Sequence, residues 1–367
     1  MNLLNTIDEK LLLGPGPSTV SPQVYRALHK PILGHLDPHF LRIMDDIKNM
    51  LRKVLKTENE LTLPISGTGS AAMESCFVNL IEEGDNILII ENGYFGQRMV
   101  DMAERLKANI STIKFKWGEV IDIPTIAKNI SKNNYQIIAV VHAETSTGVL
   151  NPIEKLSEII PNGSLFIVDA VTSLGTVDIN VDKWKIDAIY SCSQKGLSCP
   201  PGASPISFSH KAIQKLKNRK TKVPNWYLDL SMIINYWEGN ARVYHHTAPI
   251  NMMYALYQGL VNIVDEGYDN VISRHKSAHE YLVSELVQLD INFLVDKPYR
   301  IPSLNSVIIP KGINDLDVRI KLLNEFDIEI GGGLGPFSGQ IWRIGLMGYA
   351  ANSNSIDRLC SALKKLV

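Results

Sequence analysis

Five short apolar runs decide what this chain can fold into: "NILIIE" (86–91), "QIIAVVHA" (136–143), "LFIVDA" (165–170), "DAIYS" (187–191) and "SPISFS" (204–209). Most carry no polar alternation, the pattern of strands covered on both faces. Segments with helical spacing lie between them. In "SAAMESCFVNLIEEGD", Met73, Cys76, Phe77 and Leu80 fall on one helix face, and Gly84 follows as an expected C-cap. Strand alternating with helix predicts an α/β domain on a mainly parallel central sheet flanked by helices. A helix-rich stretch runs from about residue 251 to about 289. After it, "LNSVIIP", the helical "DLDVRIKLLNEF", "DIEIGGG", "IWRIGL" and a final helix from near Asn354 predict a smaller α+β unit. The expected division is an N-terminal arm (1–20), a large domain (21–260) and a small C-terminal domain (261–367).

Composition narrows the class of partner. A formal net charge of -1 gives no electrostatic reason to expect nucleic acid or an anionic membrane. No apolar run approaches the roughly 18 residues of a membrane span. "MNLLNTIDEK" lacks a basic region followed by an apolar core, so no signal peptide is expected, and "KKLV" is not a peroxisomal ending. Cys76, Cys192, Cys199 and Cys360 lack CxxC spacing, which points to reduced thiols and a cytoplasmic location.

Three stretches carry chemistry. "SGTGSAAMES" (66–75) is a glycine-rich turn opening a helix, where free backbone N–H groups make an anion site and Thr68 and Ser70 add hydroxyls. "LFIVDAVTSLG" ends an apolar strand in Asp169, at the edge of the sheet where open α/β folds bind ligands. "IYSCSQKGLSCPPGAS" places Lys195 at an expected strand end among small residues, an odd setting for a solvated lysine. A phosphate-type turn, then an aspartate, then a lysine 26 residues later is the order a pyridoxal phosphate site needs. The aspartate keeps the pyridinium nitrogen protonated and the lysine holds the aldehyde as a Schiff base. The same turn supports a rival. Gly67-Thr68-Gly69-Ser70-Ala71-Ala72 fits G-x-G-x-x-A and Glu91 follows at a strand end, the fingerprint of a nicotinamide-dependent oxidoreductase. Pro64 in the preceding strand weakens it.

From "LLLGPGPSTVSP" at residue 11 to "WRIGLMG" at 348, the chain resembles the class V (fold type I) aminotransferases, in particular the alanine–glyoxylate / serine–glyoxylate group. "SGTGSAAMES", "NGYFGQR", "HAETSTGVL", "VDAVTSLG", "YSCSQKGLSCPPG", "YHHTAP", "IGGGLGP" and "RIGLMG" carry the likeness. The resemblance implies pyridoxal 5'-phosphate as cofactor, held in the large domain, with Lys195 as the Schiff-base lysine and Asp169 as the pyridinium partner. It implies that Thr68, Gly69, Ser70 and Gln194 contact the phosphate, that Phe95 stacks on the ring and that Thr145 bonds the ring hydroxyl. Arg343 would grip the substrate carboxylate. Tyr244 and Thr247 would reach the phosphate of a neighbouring subunit, making a homodimer with shared sites. Some relatives carry tryptophan at the Phe95 position, serine at Thr145 and histidine at Ser70, swaps that keep the reaction type. Substrates would be small α-amino acids and α-oxo acids, with ureidoglycine or pyridoxamine as other donors within the class. A silent binding protein would lack Lys195 or Asp169. A cysteine desulfurase would need a cysteine in a mobile loop after Lys195. His245-His246, expected on a strand with rings facing opposite ways, has no third ligand at metal spacing, and His142 with Glu144 is not HExxH.

Overall fold

The computed structural model describes residues 2–239 and 241–367. Its centre is a seven-stranded sheet: β1 (Leu61–Gly67), β2 (Asn86–Glu91), β3 (Asn109–Lys114), β4 (Ile137–Val141), β5 (Leu165–Asp169), β6 (Ala188–Tyr190) and β7 (Gly202–Phe208). The spatial order is β1-β7-β6-β5-β4-β2-β3. All pairs are parallel except those of β7, which runs antiparallel to β1 and β6. Every residue of β4 and β5 is buried, as their unbroken apolar runs require. Pro64 sits on the edge strand β1 directly opposite Pro205 of β7, so two residues without an N–H share one ladder position.

The helices after β1 and β2 aim at the C-terminal edge of the sheet: α1 (Gly69–Leu80) and α2 (Tyr94–Arg105). In α1 the expected face is buried, with Met73, Cys76, Phe77 and Leu80 inside. The helix stops at Leu80, so Gly84 belongs to the following turn and is not the C-cap. Because Ile81 is already extended, the chain leaves the helix three residues early. Farther on, α3 (Ile250–Glu266) and α4 (Tyr268–Gln288) are separated at Gly267, whose φ of 86° ends one helix before the next begins.

A three-stranded antiparallel sheet, β8 (Leu304–Ile308), β9 (Gly331–Gly332) and β10 (Ile341–Gly345), has β10 in the middle. It belongs to a second apolar core with α4 and the C-terminal helix α5 (Ser353–Leu366), and that core also takes in Leu11 and Leu13. Leu11–Leu12 lies parallel to Ile328–Glu329. No helix among the described residues is long and apolar enough to cross a membrane.

Candidate active site

The glycine-rich turn lies between β1 and α1. Thr68 is the N-cap, extended at φ -81° and ψ 175°, yet its hydroxyl caps nothing. The first N–H groups of α1 and that hydroxyl are therefore both available to a ligand. Gly69 is needed for close packing, since a Cβ there would sit 3.1 Å from Cys192 Cβ. The dinucleotide fingerprint demands a β-α-β unit of neighbouring parallel strands. Here β1 and β2 are far apart in the sheet, and β1 has only an antiparallel neighbour. Glu91 is buried, held by Gln97 Nε2 at 2.9 Å and faced by Lys114.

Asp169 ends β5, paired in register with Tyr190 of β6. Its carboxylate accepts from Val171 N at 2.8 Å, with the Tyr190 hydroxyl beside it. Burial lifts the carboxyl from 3.8 to about 7; the Val171 N–H opposes this, the nearby Glu144 charge adds to it and Arg98 pulls it back.

Lys195 is not at a strand end, as the sequence suggested, but in a turn five residues past β6. One segment, residues 15–18, folds over it. Ser18 donates to Lys195 O at 2.7 Å through its hydroxyl and to Gln194 O at 2.9 Å through its N–H. The ammonium itself donates to Pro15 O, and a Cβ at Gly16 (φ 111°) would collide with the lysine side chain. Burial lowers the Lys195 pKa and the Arg343 charge lowers it further, while Cys192 and Asp169 oppose. Gln194 leaves its Oε1 buried without a hydrogen-bond partner.

Phe95 opens α2 and is half-buried. Its N–H donates to Glu144 Oε2 at 3.2 Å, and Glu144 also takes the Ser146 N–H at 3.0 Å and hydroxyl at 2.6 Å. That carboxylate serves as the acceptor for the start of α2, whose own N-cap is Gly93; a Cβ at Gly93 would run into it. Burial raises the Glu144 pKa against these donors. Thr145 is buried in the same loop, and its carbonyl accepts from Arg343 Nη1 at 3.3 Å. Arg343 Nε donates to Gly332 O at 2.7 Å. Two carbonyls thus orient the guanidinium, and no carboxylate lies within 4 Å of it among the described residues. Burial brings its pKa from 12.5 to about 10, with Glu144 holding it up.

These contacts bring Thr68, Gly69, Ser70, Phe95, Thr145, Asp169, Gln194, Lys195 and Arg343 to one place. Tyr244 and Thr247 stay outside it. Both are exposed, and their hydroxyls lie 3.3 Å from each other. The histidine pair corrects an expectation: residues 245 and 246 are in a loop, and their Nδ1 atoms turn toward each other at 2.8 Å. His246 Nε2 reaches Ser66 Oγ at 2.7 Å, because a loop, unlike a strand, imposes no alternation. Sequence reasoning gave no role to Pro15, Gly16, Glu144 or Arg98. Only "GPGP" and the acid before Thr145 offered a signal, and both act across the fold.

The donor set fits pyridoxal phosphate. It offers uncapped N–H groups and a free hydroxyl for an anion, a buried amine, and a carboxyl whose charge burial disfavours and a neighbouring cation would favour.

The Aminotransferase class-V family profile matches residues 20–357. The chain is 38% identical to mouse alanine–glyoxylate aminotransferase over 364 residues, covering 98% of this chain and 88% of that one. It is 35% identical to the (S)-ureidoglycine–glyoxylate transaminase of Bacillus subtilis over 377 residues, covering 98% and 90%. Among solved structures, alanine–glyoxylate aminotransferase from Nostoc sp. superposes with a TM-score of 0.96 at 49% identity, covering 98% and 96%.

Proposed function

This chain belongs to the class-V aminotransferases, and from that premise we propose that it moves the amino group of alanine or serine to glyoxylate or pyruvate in two half-reactions. One observation carries the reading: Asp169 and Arg343 are buried beside Lys195, close enough that the charges of both act on the lysine. The alanine–glyoxylate relatives, matched along nearly the whole chain, support the choice of substrates.

Pyridoxal phosphate, when bound, supplies a conjugated ring that draws electron density from the substrate α-carbon. Thr68, Gly69, Ser70 and Gln194 would hold its phosphate, Phe95 its ring face and Thr145 its ring hydroxyl. Asp169, ionised beside a protonated ring nitrogen, would keep the proton there. Lys195 would hold the aldehyde, and its amine, whose protonation burial disfavours, would carry the proton taken from the α-carbon. Arg343 would bind the substrate carboxylate through the guanidinium edge that its two carbonyl partners leave open.

The two apolar cores support a large cofactor-binding domain (21–260), a small domain (261–367) and an N-terminal arm (1–20). Four buried free cysteines support a cytoplasmic setting. Exposed Tyr244 and Thr247 support a homodimer in which each subunit completes the other's phosphate site.

Purified protein given L-alanine and glyoxylate should form pyruvate and glycine and show a visible cofactor band. Lys195→Ala should lose turnover and borohydride fixation of the cofactor while still holding it non-covalently. Turnover of ureidoglycine but not of alanine or serine would overturn the donor. Parental rates in the variant would overturn the role of Lys195.

A further inference from the structure

The anion turn is short of charge. A phosphate monoester carries about −1.5 to −2 at pH 7, while a helix N-terminus offers roughly +0.5. The hydroxyls and amides of Thr68, Ser70 and Gln194 add none. One cation reaches the turn. Arg98 Nη1 donates to Ser70 Oγ at 2.9 Å, and among the described residues no other lysine or arginine hydrogen-bonds Thr68, Gly69, Ser70 or Gln194.

Its placement is built by α2. Arg98 follows Phe95 by one turn, so both side chains leave the same face of the helix. The guanidinium carbon lies 4.9 Å from the Phe95 ring centroid and 5.4 Å from that of Tyr94. These rings and the serine hydroxyl fix the side chain, and no carboxylate lies within 4 Å of it among the described residues. An oriented, half-buried guanidinium without a counter-ion, touching an anion turn, is complete only when an anion arrives.

We propose that Arg98 is the charged ligand of the cofactor phosphate, binding it beside Ser70 with the guanidinium fork. This rests on the aminotransferase reading and adds to it a residue that supplies the missing charge. A full positive charge with the helix end brings the total near +1.5, close to what the phosphate carries.

The test compares two cofactors on the full chain after the cofactor has been removed: pyridoxal phosphate, and pyridoxal without its phosphate. Binding is followed by absorbance, with no substrate added. Arg98→Gln keeps a donor for Ser70 but loses the charge. It should weaken pyridoxal phosphate by about 10- to 100-fold, the range for a hydrogen bond to a charged group, and leave pyridoxal unchanged. Inorganic phosphate should also protect the parent from thermal unfolding and protect Arg98→Gln less. Arg98→Lys, which keeps the charge without the fork, should fall between. Equal weakening of both cofactors would mean that Arg98 serves the ring through Phe95, and the proposal fails. An unchanged affinity for pyridoxal phosphate also overturns it. A parent that binds neither cofactor would remove the aminotransferase cofactor site itself, a different failure seen without any variant.

Discussion

Among single residues, Asp169 makes the sharpest demand on its surroundings. With the cofactor removed, burial holds its carboxyl near 7, against 3.8 when exposed. The folded chain therefore binds an extra proton between about pH 4 and about pH 7. Stability from that proton is complete below the lower value and is lost as the pH rises through the upper one. Asparagine has nothing to lose. The melting temperature of cofactor-free Asp169→Asn should rise relative to the parent between about pH 5 and about pH 8. A constant difference would show Asp169 ionised throughout. In the loaded enzyme the same substitution should slow α-carbon deprotonation at least about a hundredfold, the scale of one preorganised electrostatic contact. Asp169 was readable because four apolar residues, Leu165–Val168, run along a strand that ends on it. Arg98 and Glu144 were not, because their partners, Ser70 and the start of α2, meet them only after the sheet has formed.

Among the elements, β10 shows what periodicity reveals and what it hides. "IWRIGL" reads as a buried strand, and every residue of β10 is buried. Nothing in the run shows that Arg343 faces Thr145 and Gly332, since those contacts span 198 and 11 residues. Lysine at 343 would keep a charge but cannot use two nitrogens on backbone carbonyls and present a flat edge to a carboxylate. Arg343→Lys should raise KM for both amino and oxo acid by about tenfold or more with a smaller change in kcat, read from steady-state kinetics. Unchanged KM values would make the arginine structural. The strand β3 escaped the reading of apolar runs because "NISTIK" is only partly buried, with Ser111 and Thr112 among its residues. The helix over Pro38–Leu55 has a legible stripe in Phe40, Met44, Ile47, Leu51 and Leu55, but it lies before the strands that reveal the fold class.

At the scale of the molecule, the proposed homodimer needs an exposed surface to bury. Trp226 stacks on His245, Tyr244 lies 4.8 Å from His35, and Val243 and Ile32 are well exposed nearby in the chain. The proposed dimer would cover such a grouping of exposed aromatic and aliphatic side chains. Sedimentation should find a dimer of two 40.9 kDa chains. Tyr244→Phe should weaken pyridoxal phosphate roughly tenfold, one hydroxyl to a charged group, without dissociating the dimer. A parent that sediments as a monomer with full cofactor affinity would remove Tyr244 and Thr247 from the site.

The segment that covers Lys195 also sets an order of events in time. Leu11 pairs with Ile328, 317 residues later, and Gly345 donates its N–H to Leu13 O. At cellular synthesis rates the interval between making the two partners is roughly 15–60 s. Through that interval the covering segment has its contacts with the lysine turn but neither of its strand partners. A chain stopped before Ile328 has every strand of its large sheet, which ends at Phe208, yet lacks Arg343 and the strands that anchor the covering segment, so the site is complete only on a chain translated nearly to its end.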